Sequence, residues 1–421
     1  SKNSTLSDQN KKKISMDQLT LYNQILQLSP PWFTTKVDLI ADQELVLVTV
    51  SYSEGTRFLC PKCSEVCDQY DTRKRRWRHL DTCQYKTFIE AEVPRVICPN
   101  HGCLTLQVPW ALEQARYTKV FENTVLKWIQ EASILALSRR FRLSWTAING
   151  ILKRGVQRGL ERPRRYKCAH LSVDETCIGA NRDFITILSN HEGQVLAVED
   201  GRSSESLLRC FKRIPIHFLN KVKTISMDMS PAYQKAVRIR FKRRADKLIA
   251  FDHFHVTKKL TETLHQVRKA EVRSMPNIDQ LYLHKTRYHW LRNGQKLTPK
   301  KLEQLESQKT YLHDTATTWF FKEKAREIWQ GHRQLGARKA WKQWISLAGD
   351  TDIVPLIAVA SMIEEKLKGI LTAMKYGVSN ARAEAINNKI KAMARRAYGF
   401  RNRERYKAAI MFYLGRLAMD A

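Results

Sequence analysis

Three shortages bound what this chain can be. No apolar run approaches the roughly 18 residues needed to cross a bilayer, so no membrane span and no membrane partner are expected. The first residues, SKNSTLSDQNKKKIS, lack the apolar stretch of a secretory signal, which predicts a protein that stays in the cytoplasm. Acidic residues are scarce. There are 41 Asp and Glu against 73 Lys and Arg, for a formal net charge of +32. The excess is spread along the chain and is not a single basic tail, so its partner should be a polyanion, most simply DNA or RNA. A cytoplasmic setting also excludes a disulfide framework for the nine cysteines. Six of them fall between Cys60 and Cys103, which points to a metal. A chain of 421 residues is long enough for about two to four domains with real cores.

Residues 1–15 read as a polar tail. Met16 to Leu28 has helical spacing, stopped by Ser29-Pro30-Pro31, and Val37 to Tyr52 alternates as strands do. Cys60-Pro61-Lys62-Cys63 and Cys98-Pro99-Asn100-His101 then form two knuckles about 35 residues apart. Zn²⁺ takes four soft or borderline ligands in a tetrahedron, and each knuckle offers two. The expected zinc ligands are Cys60, Cys63, Cys98 and His101, with Cys103 as a substitute for His101 and Cys67 as an outside candidate. Between the knuckles, the basic run Arg73 to Arg78 holds Trp77. Arg75, Arg76 and Arg78 are expected to touch a DNA backbone, although such a run also suits a solvated hairpin face. Ser133 to Phe141, the break Arg142-Leu143-Ser144 and the Ser-capped segment Trp145 to Arg158 have helix-turn-helix spacing. Trp145, Thr146, Asn149, Lys153 and Arg154 are its candidate DNA contacts. Glu161 to Arg165 reads as a basic linker.

His170 to Gly179 alternates into a strand that carries Asp174. Strands at Asp183 to Asn190 and Gln194 to Glu199 follow, separated by a His191-Glu192-Gly193 turn. A helix at Ser203 to Arg213 leads to a fourth strand, Val222 to Met227. This strand delivers Asp228 just before Ser230-Pro231 opens a helix. Lys247 to Asp252 is the fifth strand candidate. This is the order of an RNase H-like α/β core, which sets two strand-end aspartates side by side, as a hard oxygen-seeking Mg²⁺ requires. Residues 274–355 read as a helical insertion holding Trp290, Trp319, Trp329, Trp341 and Trp344. Most of these suit core packing, and one or two suit stacking on unpaired bases. In the late helix, Ile386, Ile390, Met393 and Ala397 share a face, opposite Glu384, Asn388, Lys391 and Arg395. That charged stripe suits a helix facing both a metal and a phosphate backbone, with Lys391 and Arg395 touching the DNA.

The fold class expected is multidomain α+β. The boundaries expected are an N-terminal segment at 1–55, a zinc ribbon at 56–112 and a helix-turn-helix region at 113–165. An RNase H-like core follows at 166–273, its all-helical insertion at 274–355, and its closing helices at 356–421. Taken in order, CPKC, CPNHG, WRHLD, SVDET, MDMSPAY, FDHFHV, SNARAEAINNKIK and YGFRN resemble the ISL-three family of bacterial insertion-sequence transposases along nearly the whole chain. His101 stands where Cys is common in that family. The resemblance implies a DDE transposase whose acidic positions are Asp174, Asp228 and Glu384. It also implies N-terminal modules that bind terminal inverted repeats. Two Mg²⁺ ions, replaceable by Mn²⁺, would serve cleavage at the element end and transfer of the new 3′-OH to target DNA. Double-stranded DNA is then the partner, a homodimer is expected to join two ends, and the location is the bacterial nucleoid. Glu175 should point away from Asp174, Asp252 is the alternative third carboxylate, and His253 and His255 are supporting groups. A catalytically silent DNA-binding regulator and another RNase H-fold nuclease are the competing readings.

Overall fold

The computed structural model describes residues 17–164, 166–167, 169–178, 183–331 and 335–421. The expected tail, Met16, Arg165 of the linker and Gly179 lie outside the described residues. The chain divides into two compact units, Ser1–Arg162 with Ala418–Ala421, and Pro163–Leu417. No helix among the described residues is long and apolar enough to cross a membrane.

The first unit begins with α1 (Gln18–Ile25), whose first turn is capped by the Asp17 carboxylate accepting from the Thr20 N–H. Then come β1 (Trp32–Ile40), β2 (Leu45–Tyr52), β3 (Phe58–Leu59), β4 (Val66–Thr82), β5 (Tyr85–Cys98) and β6 (Gly102–Thr105). The sheet order is β1-β2-β5-β4-β3, with β6 pairing β5. Its apolar face buries Trp32, Val48, Trp77 and Ile89 together with Trp110. Three helices follow: α2 (Lys119–Glu131), α3 (Ile134–Phe141) and α4 (Trp145–Glu161). Ser133 and Ser144 cap α3 and α4 through the N–H groups of Ala136 and Ala147, which sets the sharp break between the two helices.

The second unit begins with the meander β7 (His170–Ile178), β8 (Asp183–Asn190) and β9 (Val195–Asp200). Gly193, at φ +79°, takes the left-handed position in the turn between β8 and β9. After α5 (Ser204–Lys212) and the short α6 (Ile216–Leu219) come β10 (Thr224–Met227), α7 (Pro231–Phe241), the short α8 (Ala245–Leu248) and β11 (Ile249–Phe251). The sheet order is β11-β10-β7-β8-β9. β7, β8 and β9 run antiparallel, while β10 and β11 lie parallel to β7. The fifth strand is shorter than expected because Ala245–Leu248 turns as a helix.

All remaining elements are helices: α9 (His253–Arg273), α10 (Asn277–Leu291), α11 (Pro299–Gln308), α12 (His313–Gly331), α13 (Leu335–Gly349), α14 (Val354–Tyr376), α15 (Ala381–Arg396) and α16 (Arg403–Leu414). Phe321, Trp341 and Trp344 share the sheet's core with Leu356 and Ile363. A separate small core gathers Leu264, Leu283, Trp290, Leu305 and Leu312. Three of the five tryptophans expected in this stretch, Trp290, Trp341 and Trp344, are therefore buried packing residues. The indole N–H groups of Trp290 and Trp344 are satisfied by Gln308 Oε1 at 3.0 Å and the Phe321 carbonyl at 2.9 Å.

Candidate active site and DNA-binding elements

The parallel register of β7 and β10 builds the acidic centre. Ser172 pairs with Ser226, and their hydroxyls are 2.8 Å apart. Asp174 lies two residues further along β7, and Asp228 directly follows the last residue of β10; the charge of Asp228 reaches both Asp174 and Glu175. Each aspartate is held by the backbone just after it. The Glu175 N–H donates to Asp174 Oδ1 at 2.9 Å, and the Ser230 N–H donates to Asp228 Oδ1 at 3.0 Å. Helix α15 packs on β7 and contributes Glu384 from its first turn. Buried Ala383, Ile386 and Ile390 fix the inward face of this helix, leaving Glu384, Asn388, Lys391 and Arg395 exposed.

Burial raises the Asp174 carboxyl to about 7 against the pull of the Glu175 N–H, with the charges of Glu175, Asp228 and Glu384 adding to the rise. The carboxylates thus feel one another. Among the described residues, however, their oxygens do not form a group as tight as the cysteine cluster below. Glu175 turns the other way, toward Tyr233 on α7. Burial and Asp228 raise its pKa, while the Tyr233 hydroxyl favours the charged form. Asp252 is 4% exposed, one residue past Phe251, which pairs with Met227, and it makes no cap bond to α9. His253 sits against Trp329, with ring centroids 4.9 Å apart, and lies 3.1 Å from Thr257 Oγ1. His255 lies close enough to Glu175 to favour its charged form.

Sequence reasoning missed Asn387. Its side-chain amide donates to Asp174 Oδ2 at 2.7 Å and to the Glu175 carbonyl at 3.2 Å. The available signal was its place three residues after Glu384, on the same side of a helix.

In the first unit, the ligand atoms of Cys60, Cys63, Cys98 and His101 all lie within 4.8 Å of one another. Cys103 is exposed and outside this group, and Cys67 is buried beside it. Burial opposes ionisation of Cys60, but the N–H groups of Cys63 and Lys62 outweigh it and bring the thiol down to about 6. The Glu65 N–H favours the Cys63 thiolate, yet desolvation and the sulfurs of Cys60 and Cys98 push this thiol up to about 12. Such crowding of thiols is the electrostatic condition that a divalent cation relieves.

One of the expected DNA contacts, Arg78, is corrected, and a second, Arg154, has a partner inside the fold. Arg78 is only 6% exposed. Its guanidinium donates to the His79 and Thr87 carbonyls, pairs with Asp81 and lies over the rings of Phe88 and Phe121. The WRHLD stretch is therefore a structural joint. Asp81 also accepts from Arg142, in the break before α4, at 2.8 Å. Arg154 points back to Glu122 on α2, which is 0% exposed and also accepts from Arg158 at 3.2 Å. A carboxylate buried this deeply requires cationic partners; Arg154 supplies one, while 42% of its side chain stays exposed. Arg76 is half-exposed and paired with Glu90, and Arg75 lies over Trp77. Trp145, Thr146 and Lys153 are exposed on α4, and Asn149 donates to the Trp145 carbonyl.

Known proteins agree with this architecture. Residues 56–103 match the zinc-finger of transposase IS204/IS1001/IS1096/IS1165, and residues 106–156 match the helix-turn-helix domain of transposase family ISL3. The first unit thus carries a zinc ribbon and a DNA-binding helix-turn-helix. The chain is 26% identical over 352 residues to the transposase for insertion sequence element IS1001 of Bordetella parapertussis, covering 82% of this chain and 86% of that one. It is 25% identical over 382 residues to the transposase for insertion sequence element IS1557 of Mycobacterium tuberculosis, covering 84% and 85%. Residues 171–410, more than half of the chain, match the transposase domain of the ISL3 type, and the chain belongs to the ISL3 family of transposases.

Proposed function

We propose that this transposase cuts and joins DNA at a DDE centre made of Asp174, Asp228 and Glu384, on an RNase H-like core into which residues 274–355 are inserted. The observation that carries the reading is a pair of aspartates on neighbouring parallel strands, Asp174 within β7 and Asp228 just past the end of β10, with Glu384 close enough to raise the pKa of Asp174. The donor set is all carboxylate oxygen, which is what Mg²⁺ or Mn²⁺ selects, and mutual repulsion among the carboxylates is the charge balance a divalent cation restores. When bound there, such ions supply Lewis-acid polarisation of the phosphodiester and lower the pKa of water.

The chain's own residues set the geometry. The Glu175 and Ser230 N–H groups fix the two aspartates, and Glu384, in the first turn of α15, would complete the set. Lys391 and Arg395, further along the same exposed stripe, would hold the phosphate backbone. Cleavage forms a bond from a water oxygen to phosphorus and releases the 3′ oxygen as the element's 3′-OH. In strand transfer that 3′-OH attacks a target phosphodiester in line. Neither step needs a covalent enzyme intermediate, so catalysis is positioning and charge stabilisation.

In the first unit, Cys60, Cys63, Cys98 and His101 would hold Zn²⁺ as a closed structural site. Thr146, Asn149 and Lys153 would face the terminal repeats, and a homodimer would bring two ends together.

The test uses purified protein, Mg²⁺ and labelled duplex taken from the DNA flanking its own gene. A nick leaving a 3′-OH at a repeat boundary, lost in Asp174→Asn, Asp228→Asn and Glu384→Gln while end binding persists, is the expected result. Retained cleavage in a variant removes that residue from the site. Specific binding without cleavage in Mg²⁺ or Mn²⁺ would instead identify a silent DNA-binding regulator.

A further inference from the structure

The Asn387 side chain is uncharged and bonds directly to Asp174 of the acidic centre. It sits on α15 three residues after Glu384, on the same side of the helix. Its amide nitrogen has two hydrogens, and both are used. One goes to Asp174 Oδ2 at 2.7 Å and the other to the Glu175 carbonyl at 3.2 Å. Asp174 Oδ1 is already held by the Glu175 N–H at 2.9 Å. Each oxygen of this carboxylate therefore accepts one fixed donor and keeps a lone pair for another partner. Asp228 has one such donor, from the Ser230 N–H, and no hydrogen bond to the Glu384 side chain is found among the described residues. Asp174 is thus the most firmly oriented of the three.

The residue type matters. Arg or Lys at this position would donate equally well but would neutralise Asp174 and compete with any cation. Asp or Glu would add another negative charge to a centre already crowded with them. An amide gives the N–H without either fault.

The arrangement also carries a cost. Asn387 Oδ1 is buried with no hydrogen-bond partner. Leaving a buried acceptor unsatisfied costs about 1–3 kcal/mol, a penalty that packing alone gives no reason to keep.

We infer that Asn387 is a positioning residue of the catalytic centre: its amide orients the Asp174 carboxylate and fastens the Glu384-bearing helix to β7, so that Asp174 is held in one orientation for a divalent cation. The inference rests on the DDE reading above and extends it to a residue outside the acidic triad. Hydrogen-bonded supports of this kind typically change metal affinity or activity by about 10- to 100-fold when removed.

The experiment compares wild type, Asn387→Ala and Asn387→Leu as full chains. Asn387→Leu keeps the shape approximately and loses the donor without adding a charge. Three readouts are taken: the Mg²⁺ concentration for half-maximal cleavage of a repeat-end duplex, the affinity for that duplex without metal, and Fe²⁺-directed cutting of the polypeptide near Asp174 and Asp228. The last reports metal occupancy without any DNA chemistry. The expected result is a rise of about 10- to 100-fold in the Mg²⁺ midpoint for both variants. Iron-directed cutting should weaken in parallel, duplex affinity should stay unchanged, and high Mn²⁺ should restore part of the rate. Wild-type Mg²⁺ midpoints and wild-type iron cutting in both variants would overturn the inference. So would a slower rate at an unchanged midpoint together with a lowered unfolding temperature, which is the signature of packing alone. Asp174→Asn serves as the separate control. If it still cleaves DNA, the DDE reading itself fails. If it is dead while the Asn387 variants titrate as wild type, only the positioning role fails.

Discussion

Glu122 offers the sharpest test of how the DNA-reading helix is held. It lies on α2 with 0% of its side chain exposed, and it accepts from Arg154 Nε at 3.0 Å and Arg158 Nη1 at 3.2 Å, both on α4. Burial lowers the Arg158 pKa, and Glu122 offsets part of that effect. Glu122→Gln keeps the shape and one acceptor but removes the charge that compensates two guanidinium groups. Removing one partner of a buried ion pair costs about 3–5 kcal/mol. The low end applies here, because Gln retains a hydrogen bond and Arg154 is 42% exposed and can partly resolvate. About 3 kcal/mol corresponds to roughly two orders of magnitude in an opening equilibrium. Hydrogen exchange on the full chain, read peptide by peptide, should show protection across α2 and α4 falling by that factor, with weaker binding to repeat-end duplex. The peptides of β7 and β10 should not change. Exchange in α2 and α4 within about threefold of wild type would refute the claim that this buried triad anchors α4.

Four further outcomes follow from the same structure. Cys60→Ser should lose zinc, measured as metal content of the purified protein, and with it binding to element ends; an unchanged zinc content would remove Cys60 from the ligand set. His79 is buried beside Thr118 Oγ1 at 2.9 Å, and burial, then Arg78, lowers its pKa from 6.5 to about 4. Its neutral form therefore contributes stability that is complete above pH 6.5 and is lost as pH falls toward 4, about 3 kcal/mol in all. Unfolding measured against pH should be steeper over that window for wild type than for His79→Gln, and parallel curves would contradict the assignment. Lys153→Ala should weaken repeat-end binding and reduce the salt dependence of log K by about 1. Arg78→Ala should instead lower the unfolding temperature, and a changed salt slope with intact stability would return Arg78 to the DNA surface.

Local chemistry made much of this protein readable from its residues. The CxxC and CxxH knuckles impose a ligand pattern whatever the rest of the fold does, and the four atoms do come together. The alternation in β7 and the Ser-Pro start after Asp228 located the two strands that carry the aspartates, because strand period and helix capping depend on neighbours in sequence; Asp228 does follow the end of β10, but Asp174 lies within β7, which runs four residues further than expected for a strand-end position. Ser144 marked the start of α4 for the same reason. Where reasoning from sequence fell short, the deciding partner lay on another element. Arg78 reads as one more cation in a basic run, yet Phe88 on β5 and Phe121 on α2 cover it. Arg154 reads as a free cation, yet it also holds Glu122 on α2. Asn387 lies 213 positions from Asp174, and only the packing of α15 on β7 brings the two within 2.7 Å.

The sequence by itself thus determined which residues could bind a metal or begin and end an element, since those properties belong to side-chain type and spacing. Only the tertiary structure decided which charges are free to meet DNA and which are consumed inside the fold, because burial and pairing are set by whatever packs on top of a residue.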